Sequence, residues 1–133
     1  MLTKKYALTI ALLALAVFCL SGFLSMKEEP VRHIVVLKFK DGASKEKVQQ
    51  ITDAFASLER KIPGITSFEH GVNNSQENLN KGFTHVFMVT FENIKARDAY
   101  LPHPEHQKFV ELLTGSGILE DLFVVDFSLK LKK

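Results

Sequence analysis

The sequence has almost no cysteine. Cys19 is the only one among the 133 residues, and it lies inside an apolar run near the N-terminus. Removal of that run would leave a mature chain without a thiol. Disulfide bonds, cysteine nucleophiles and cysteine-ligated zinc are therefore excluded from the remainder of the chain. Its stability must come from a packed core or from a partner subunit.

Excess charge of one sign is also missing. The 17 Lys and Arg residues nearly balance the 15 Asp and Glu residues, which leaves a net charge of +2. That is too little for the concentrated basic field that binds nucleic acid. The sequence contains no Gly-rich phosphate loop, no nucleotide fingerprint and no nucleophile elbow. We therefore expect no nucleic-acid partner and no cofactor.

The N-terminal residues have the pattern of a targeting segment. Lys4 and Lys5 precede an uncharged run over residues 6–24 that is rich in Ala, Leu, Ile, Val and Phe. This order is typical of a secretory signal, and the run is also near the ~20 residues that span a bilayer. We expect residues 1–30 to be a signal peptide or membrane anchor with a short linker. Either way the domain over residues 31–133 is exported: periplasmic, secreted or anchored outside the cytoplasmic membrane, with membrane contact only through this segment.

The remaining sequence alternates between strand and helix patterns. Strands are predicted over residues 31–40, 65–72, 82–91 and 122–129, and helices over 45–62, 94–101 and 104–113. Ser44 and Asn93 are good N-caps, and Pro104 suits a first helical turn. The order β-α-β-β-α-β predicts an α+β, ferredoxin-like fold with a four-stranded antiparallel sheet and helices on one face.

The other face of this sheet is predicted to be apolar. On the first strand Ile34 and Val36 point away from Val35 and Leu37, so both faces carry apolar side chains. The third strand is predicted to place Phe83, His85, Phe87, Val89 and Phe91 on one face. A large exposed apolar surface indicates an interaction site. We expect a homodimer in which two sheets pack together, and a ligand cavity is a compatible alternative.

Five stretches of the chain resemble the stress-responsive dimeric A/B barrel family. They are residues 32–40, 62–65, 82–87, 100–106 and 124–127, in the family's order and spacing. The resemblance implies two ferredoxin-like subunits that pair as a dimeric α/β barrel, and a stress-associated role. One plant member of the family is a cofactor-independent polyketide cyclase.

The resemblance also implies a candidate site. The acid–base pair of the plant cyclase, a tyrosine and a histidine, falls on Tyr100 and His106. Its other pocket histidines fall on His33, His85 and His103. A histidine with a pKa near its ordinary value of about 6.5 exchanges protons at neutral pH, and a tyrosine hydroxyl can donate to an enolate oxygen. Such a pair suits removal of a proton next to a carbonyl group.

A structural role is open to each of these residues as well. Tyr100 would cap the core with its hydroxyl on the backbone, and His103 would be a helix N-cap. His85 would be a satisfied core histidine, and His33 would lie at the dimer interface. A zinc site built from His85, His103 and His106 is disfavoured, because such sites need three or four ligands with further support. We therefore predict no metal.

Three functions remain open on the sequence. The first is a dimeric domain whose barrel cavity binds a small hydrophobic or aromatic ligand. The second is a cofactor-free cyclase, isomerase or lyase that uses Tyr100 and His106. The third is a purely structural interaction module. A pocket lined by the histidines would favour the first two, and a core filled with phenylalanine would favour the third.

Overall fold

The computed structural model describes residues 28–130. The predicted signal peptide or anchor falls almost wholly on residues 1–27, which lie outside the described residues. Between residues 28 and 130, no helix has both the length and the apolar character of a membrane span.

The described chain has the predicted α+β, ferredoxin-like fold. Its strands are β1 (Val31–Phe39), β2 (Ile65–Val72), β3 (His85–Phe91) and β4 (Leu119–Ser128). Its helices are α1 (Lys45–Ala56), a 3-10 helix (Ser57–Arg60), α2 (Ile94–Tyr100) and α3 (Pro104–Gly115). The strands form one antiparallel sheet in the order β2-β3-β1-β4. Strand β1 is thus central, with its neighbours far away in sequence.

The helix starts follow from their capping residues. The Ser44 hydroxyl accepts a hydrogen bond from the Lys47 amide at 3.2 Å, and the Asn93 side chain accepts one from the Ala96 amide at 2.7 Å. Both bonds satisfy amides that have no partner inside the first helical turn. The first helix is shorter than predicted, because its last turn tightens into the 3-10 helix.

The third strand begins three residues later than predicted, and one of its side chains points the other way. Lys81 and Gly82 adopt positive φ values of 50° and 83°, which redirect the chain just before the strand. Phe83 therefore lies edge-on against Phe123, with ring centroids 5.0 Å apart, and not on the helix side with Phe87. The prediction that Phe83 lies on the same face as Phe87 was wrong.

The core lies between the sheet and the helices. Phe55 of α1 stacks on Phe109 of α3 at 4.3 Å and packs against Phe87 of β3 at 5.0 Å between ring centroids. Phe91 continues the aromatic contacts toward Tyr100 at the end of α2. Phenylalanine rings thus fill much of the interior beneath α1 and α3.

The opposite face of the sheet is apolar and uncovered in the single chain. Strand pairing places on this outer face Arg32, Ile34, Val36, Val86, Met88, Phe123, Val125 and Phe127. Phe123, Val125 and Phe127 are each more than 40% exposed. Within the described chain the ring of Phe83 contacts Phe123, and most of the rest of this apolar face is open to a partner.

Candidate functional site

Tyr100 is the last residue of α2, and its side chain is completely buried. Its ring packs against Phe91 at 5.0 Å and against His33 at 5.8 Å between centroids. The hydroxyl is buried and has no hydrogen-bond partner among the described residues. Burial raises the pKa of this phenol well above its ordinary value, so the group stays protonated. The Tyr100 hydroxyl is thus a buried donor without an acceptor among the described residues. An unsatisfied buried donor lowers the stability of the fold, which is a cost that a purely structural residue would have no reason to carry.

His106 lies in the first turn of α3 and faces Tyr100. The two ring centroids are 4.2 Å apart, with the planes tilted by 39°. The His106 Nδ1–H donates to the carbonyl oxygen of Leu101 at 2.9 Å. Because a carbonyl only accepts, Nδ1 must carry the hydrogen, and Nε2 of the neutral ring keeps its lone pair.

Several neighbours set the proton affinity of His106. Burial lowers its pKa most, the Leu101 carbonyl raises it, and the nearby imidazoles of His33 and His103 lower it further. The neutral form is therefore favoured at neutral pH. The His106 side chain is half-buried and so has partial solvent access, whereas the Tyr100 side chain has none.

His33 joins the same cluster from strand β1. It is 5% exposed and lies on the helix side of the sheet. Its Nδ1 is 2.7 Å from a carboxylate oxygen of Asp126, the residue directly opposite on β4. A carboxylate accepts, so the imidazole donates from Nδ1. Its position does not favour the alternative role at a dimer interface, because the predicted interface is the opposite face of the sheet.

Two further residues belong to this cluster and were missed by sequence reasoning. The second oxygen of Asp126 is bound by Nη1 of Arg97 on α2, and Nε of Arg97 binds Asp98 at 2.8 Å. Asp126 had a signal, since it is the one carboxylate within the apolar run over residues 122–127. No sequence feature singled out Arg97, because a charged residue on a predicted helix is ordinary.

His103 has the structural role that the sequence left open. Its Nδ1 accepts a hydrogen bond from the Glu105 amide at 3.2 Å, which makes it the N-cap of α3. The cap holds the start of the helix on which His106 sits. His103 therefore supports the cluster without being part of its polar contacts.

His85 lies elsewhere along the sheet. It is opposite Leu37, four positions along β1 from His33, which corresponds to about 13 Å along a strand. The imidazole packs edge-on against Phe39 at 4.9 Å and bonds the Thr84 hydroxyl at 2.9 Å. Burial lowers its pKa. The structure thus brings three of the five candidate residues together, namely His33, Tyr100 and His106. His85 is separate from this cluster.

A metal is not indicated by the side-chain positions. Over residues 28–130, no group of three or more His, Cys, Asp or Glu residues is placed to hold an ion. The cluster instead combines a protonated phenol, a neutral imidazole and a second imidazole on a carboxylate. Such a set can donate to a carbonyl oxygen and accept a proton from a neighbouring atom.

Residues 31–129 match the stress responsive A/B barrel domain. The chain belongs to this family. Stress-response A/B barrel domain-containing protein HS1 of Arabidopsis thaliana is 38% identical over 98 residues, which cover 74% of this chain and 88% of that protein. Olivetolic acid cyclase of Cannabis sativa is 30% identical over 98 residues, which cover 74% of this chain and 95% of the cyclase.

A solved structure of a ferredoxin-like protein shares the architecture. A dimeric ferredoxin-like protein of unknown function from Jannaschia sp. CCS1 matches with a TM-score of 0.65 and 27% identity, over 75% of this chain and 99% of that one. The fold is therefore common to chains that assemble as dimers.

Proposed function

We propose that this protein is a homodimeric A/B barrel domain that binds a small, mainly apolar carbonyl compound beside Tyr100 and His106. The observation that carries the proposal is the buried Tyr100 hydroxyl, which has no partner among the described residues. A carbonyl oxygen of a ligand is the acceptor that this donor needs. The rings of Phe91 and His33 pack directly on the Tyr100 ring, so the proposed ligand would approach from the side of the half-buried His106.

The second candidate function is cofactor-free proton transfer on such a ligand. Nε2 of neutral His106 would accept a proton from the carbon next to the carbonyl. The electron pair of that C–H bond would move to the carbonyl, and the resulting enolate oxygen would accept a hydrogen bond from Tyr100. The enolate would then take the proton back from His106, or its carbon would attack a second carbonyl of the same molecule to close a ring, and the new alkoxide would take the proton from His106. The likeness to olivetolic acid cyclase supports this chemistry.

Proton transfer at neutral pH requires His106 to be neutral and Tyr100 to be protonated, and the pKa shifts of the two groups favour these forms. The pKa of His106 is lowered, so its base form is present, and the pKa of Tyr100 is raised, so its proton is retained. Binding and proton transfer therefore use the same two groups, and an experiment must separate them.

We suggest a panel of enolisable aryl and alkyl ketones, such as 4-phenyl-2-butanone, in D₂O. Ligand-observed NMR measures binding, and loss of the α-proton signal measures deuterium exchange. His106→Gln should retain binding and lose protein-dependent exchange, whereas Tyr100→Phe should weaken both. His70→Gln, at an exposed position on β2, is the matched control.

The outcomes distinguish the candidates. Binding with no exchange by the wild-type protein would leave a binding function. Exchange that persists in H106Q would refute the acid–base role. Neither binding nor exchange with any ketone would contradict the proposed ligand class and favour an interaction module.

We also propose that the domain is exported and has a stress-associated role. Export is supported by the two lysines followed by an apolar run at the N-terminus, and the stress role by the likeness to HS1. Residues 1–30 fused to a reporter enzyme that is active only outside the cytoplasm should give activity. The same fusion with the apolar run deleted should give none, and equal activity from both would contradict export.

A further inference from the structure

We infer that Arg32 of each copy in the proposed homodimer binds Asp121 of the other copy, and that these two contacts set the direction in which the sheets face each other. The inference rests on the homodimer of the proposed function and names a charged contact within it. Its test needs neither a ligand nor turnover, and it distinguishes failure of the contact from failure of the dimer.

Arg32 is a cation at one end of the apolar outer face of the sheet. It lies on β1 opposite Thr90 of β3 and Phe127 of β4. Its Nε is buried without a hydrogen-bond partner among residues 28–130, and none of the ion pairs between these residues includes Arg32. A second apolar sheet packed over this face would remove the guanidinium further from water. The free-energy cost of that burial is offset only if an anion meets the guanidinium.

The other end of the outer face carries an excess of negative charge. Lys38 of β1 lies opposite Asp121 of β4, and Asp121 shares the outer face with Phe123 because side chains alternate along a strand. The Lys38 ammonium is already paired with Glu120 at 2.6 Å. Asp121 is exposed and belongs to no ion pair between described residues. Its carboxylate is therefore available to a cation from outside the chain.

The two ends of the face are too far apart to meet within one chain. Arg32 and Lys38 are six positions apart on β1, which corresponds to about 20 Å along a strand. A twofold axis that runs across the strands, in the plane between two sheets, reverses the strand direction of the second copy and brings its Asp121 end over Arg32. The symmetry makes this contact twice, once at each end of the interface. A twofold axis along the strands would bring the two Arg32 ends together, where like charges repel.

Charge complementarity identifies a second copy of this chain as the partner that fits the outer face. The apolar side chains between the two ends require an apolar partner. The ends supply a cation and an anion, neither of them in an ion pair between described residues, in the positions that twofold symmetry requires. A guanidinium can donate two parallel hydrogen bonds to one carboxylate. The Arg32–Asp121 contact should therefore fix the register of the two sheets.

The test reverses the two charges separately in the full chain. Arg32→Glu places two carboxylates at each contact, and Asp121→Arg places two guanidinium groups there. Each variant alone should therefore dimerise about tenfold or more weakly than the wild type in sedimentation velocity. An equimolar mixture of R32E and D121R restores opposite charges at both contacts, so native mass spectrometry should show heterodimers in clear excess over random pairing.

Glu69→Arg is the matched control. Glu69 is another exposed carboxylate on the outer face, opposite Met88 of β3, and lies outside the proposed contact. A mixture of R32E and E69R should give no excess of heterodimers. The rescue in the mixture of R32E and D121R excludes unfolding as the cause of the weak dimers, because a misfolded chain would not regain its partner.

The outcomes separate the contact from the dimer. Random pairing of R32E with D121R, in a protein whose wild type dimerises, would overturn the inference and leave the homodimer standing. An excess of heterodimers with E69R in place of D121R would assign Arg32 to a different carboxylate and would also overturn it. A wild-type monomer would contradict both the homodimer and the contact.

Discussion

The ring of His106 lies against the ring of Tyr100, with 4.2 Å between centroids. The two residues are close in sequence, and the chain reverses between them at the α2–α3 junction. The His103 amide donates to the Tyr100 carbonyl at 3.0 Å, and Pro104 then starts α3. The pair is therefore assembled by a short local turn, while the cluster around it depends on strand pairing.

Removal of the Tyr100 hydroxyl should stabilise the protein. Tyr100→Phe keeps the packed ring and deletes a buried donor without a described partner, so the free energy of unfolding should rise by about 1 kcal/mol. Urea denaturation at pH 7 measures this. A loss of stability in Y100F would show that the hydroxyl has a stabilising partner.

Mild acid should destabilise the domain through two histidines. Burial lowers the pKa of both His106 and His85 in the folded state, whereas the unfolded chain protonates them near pH 6.5. Between these values the unfolded state binds more protons, so the free energy of unfolding falls as the pH drops below about 6.5.

Denaturation curves from pH 7.5 to 5 check this dependence. His106→Gln and His85→Gln should each flatten it, and the exposed His70→Gln should not. Parallel curves for all variants would rule out these two groups as the cause.

The outer face of the sheet should hold two copies together. Val125→Lys places a charge on that face, and light scattering should show a monomer where the wild type gives a dimer. Val124→Lys is the matched control, because Val124 is the adjacent residue, is similarly exposed at 47% against 49%, and points to the helix side. A wild-type monomer at micromolar concentration, or equal dissociation by both variants, would contradict the predicted interface.

Much of the fold was predictable from local chemistry. The caps at Ser44 and Asn93 and the alternating apolar strands depend on neighbouring residues, and they lie where expected. The direction of Phe83 depends on positive φ values at Lys81 and Gly82. Lysine rarely adopts such a value, so composition gave no warning.

The family resemblance pointed to His33 as well as to Tyr100 and His106, but the contacts that join His33 to distant parts of the chain were not predictable. Tyr100 and His106 share one short stretch, and the family resemblance pointed to both. The His33–Asp126 bond joins residues 93 positions apart and requires the register of β1 against β4. A shift of one residue would turn Asp126 to the other face of the sheet. The contact of Arg97 depends in turn on the position of Asp126. Neither contact can therefore be derived from the sequence pattern alone.

The proposed interface and the Tyr100 cluster lie on opposite faces of one sheet. Each copy in the proposed dimer would consequently carry its own complete site, and two sheet thicknesses would separate the two sites. Occupation of one site would leave the other unaltered. A dimer should then take up two ligand molecules with a simple hyperbolic saturation curve.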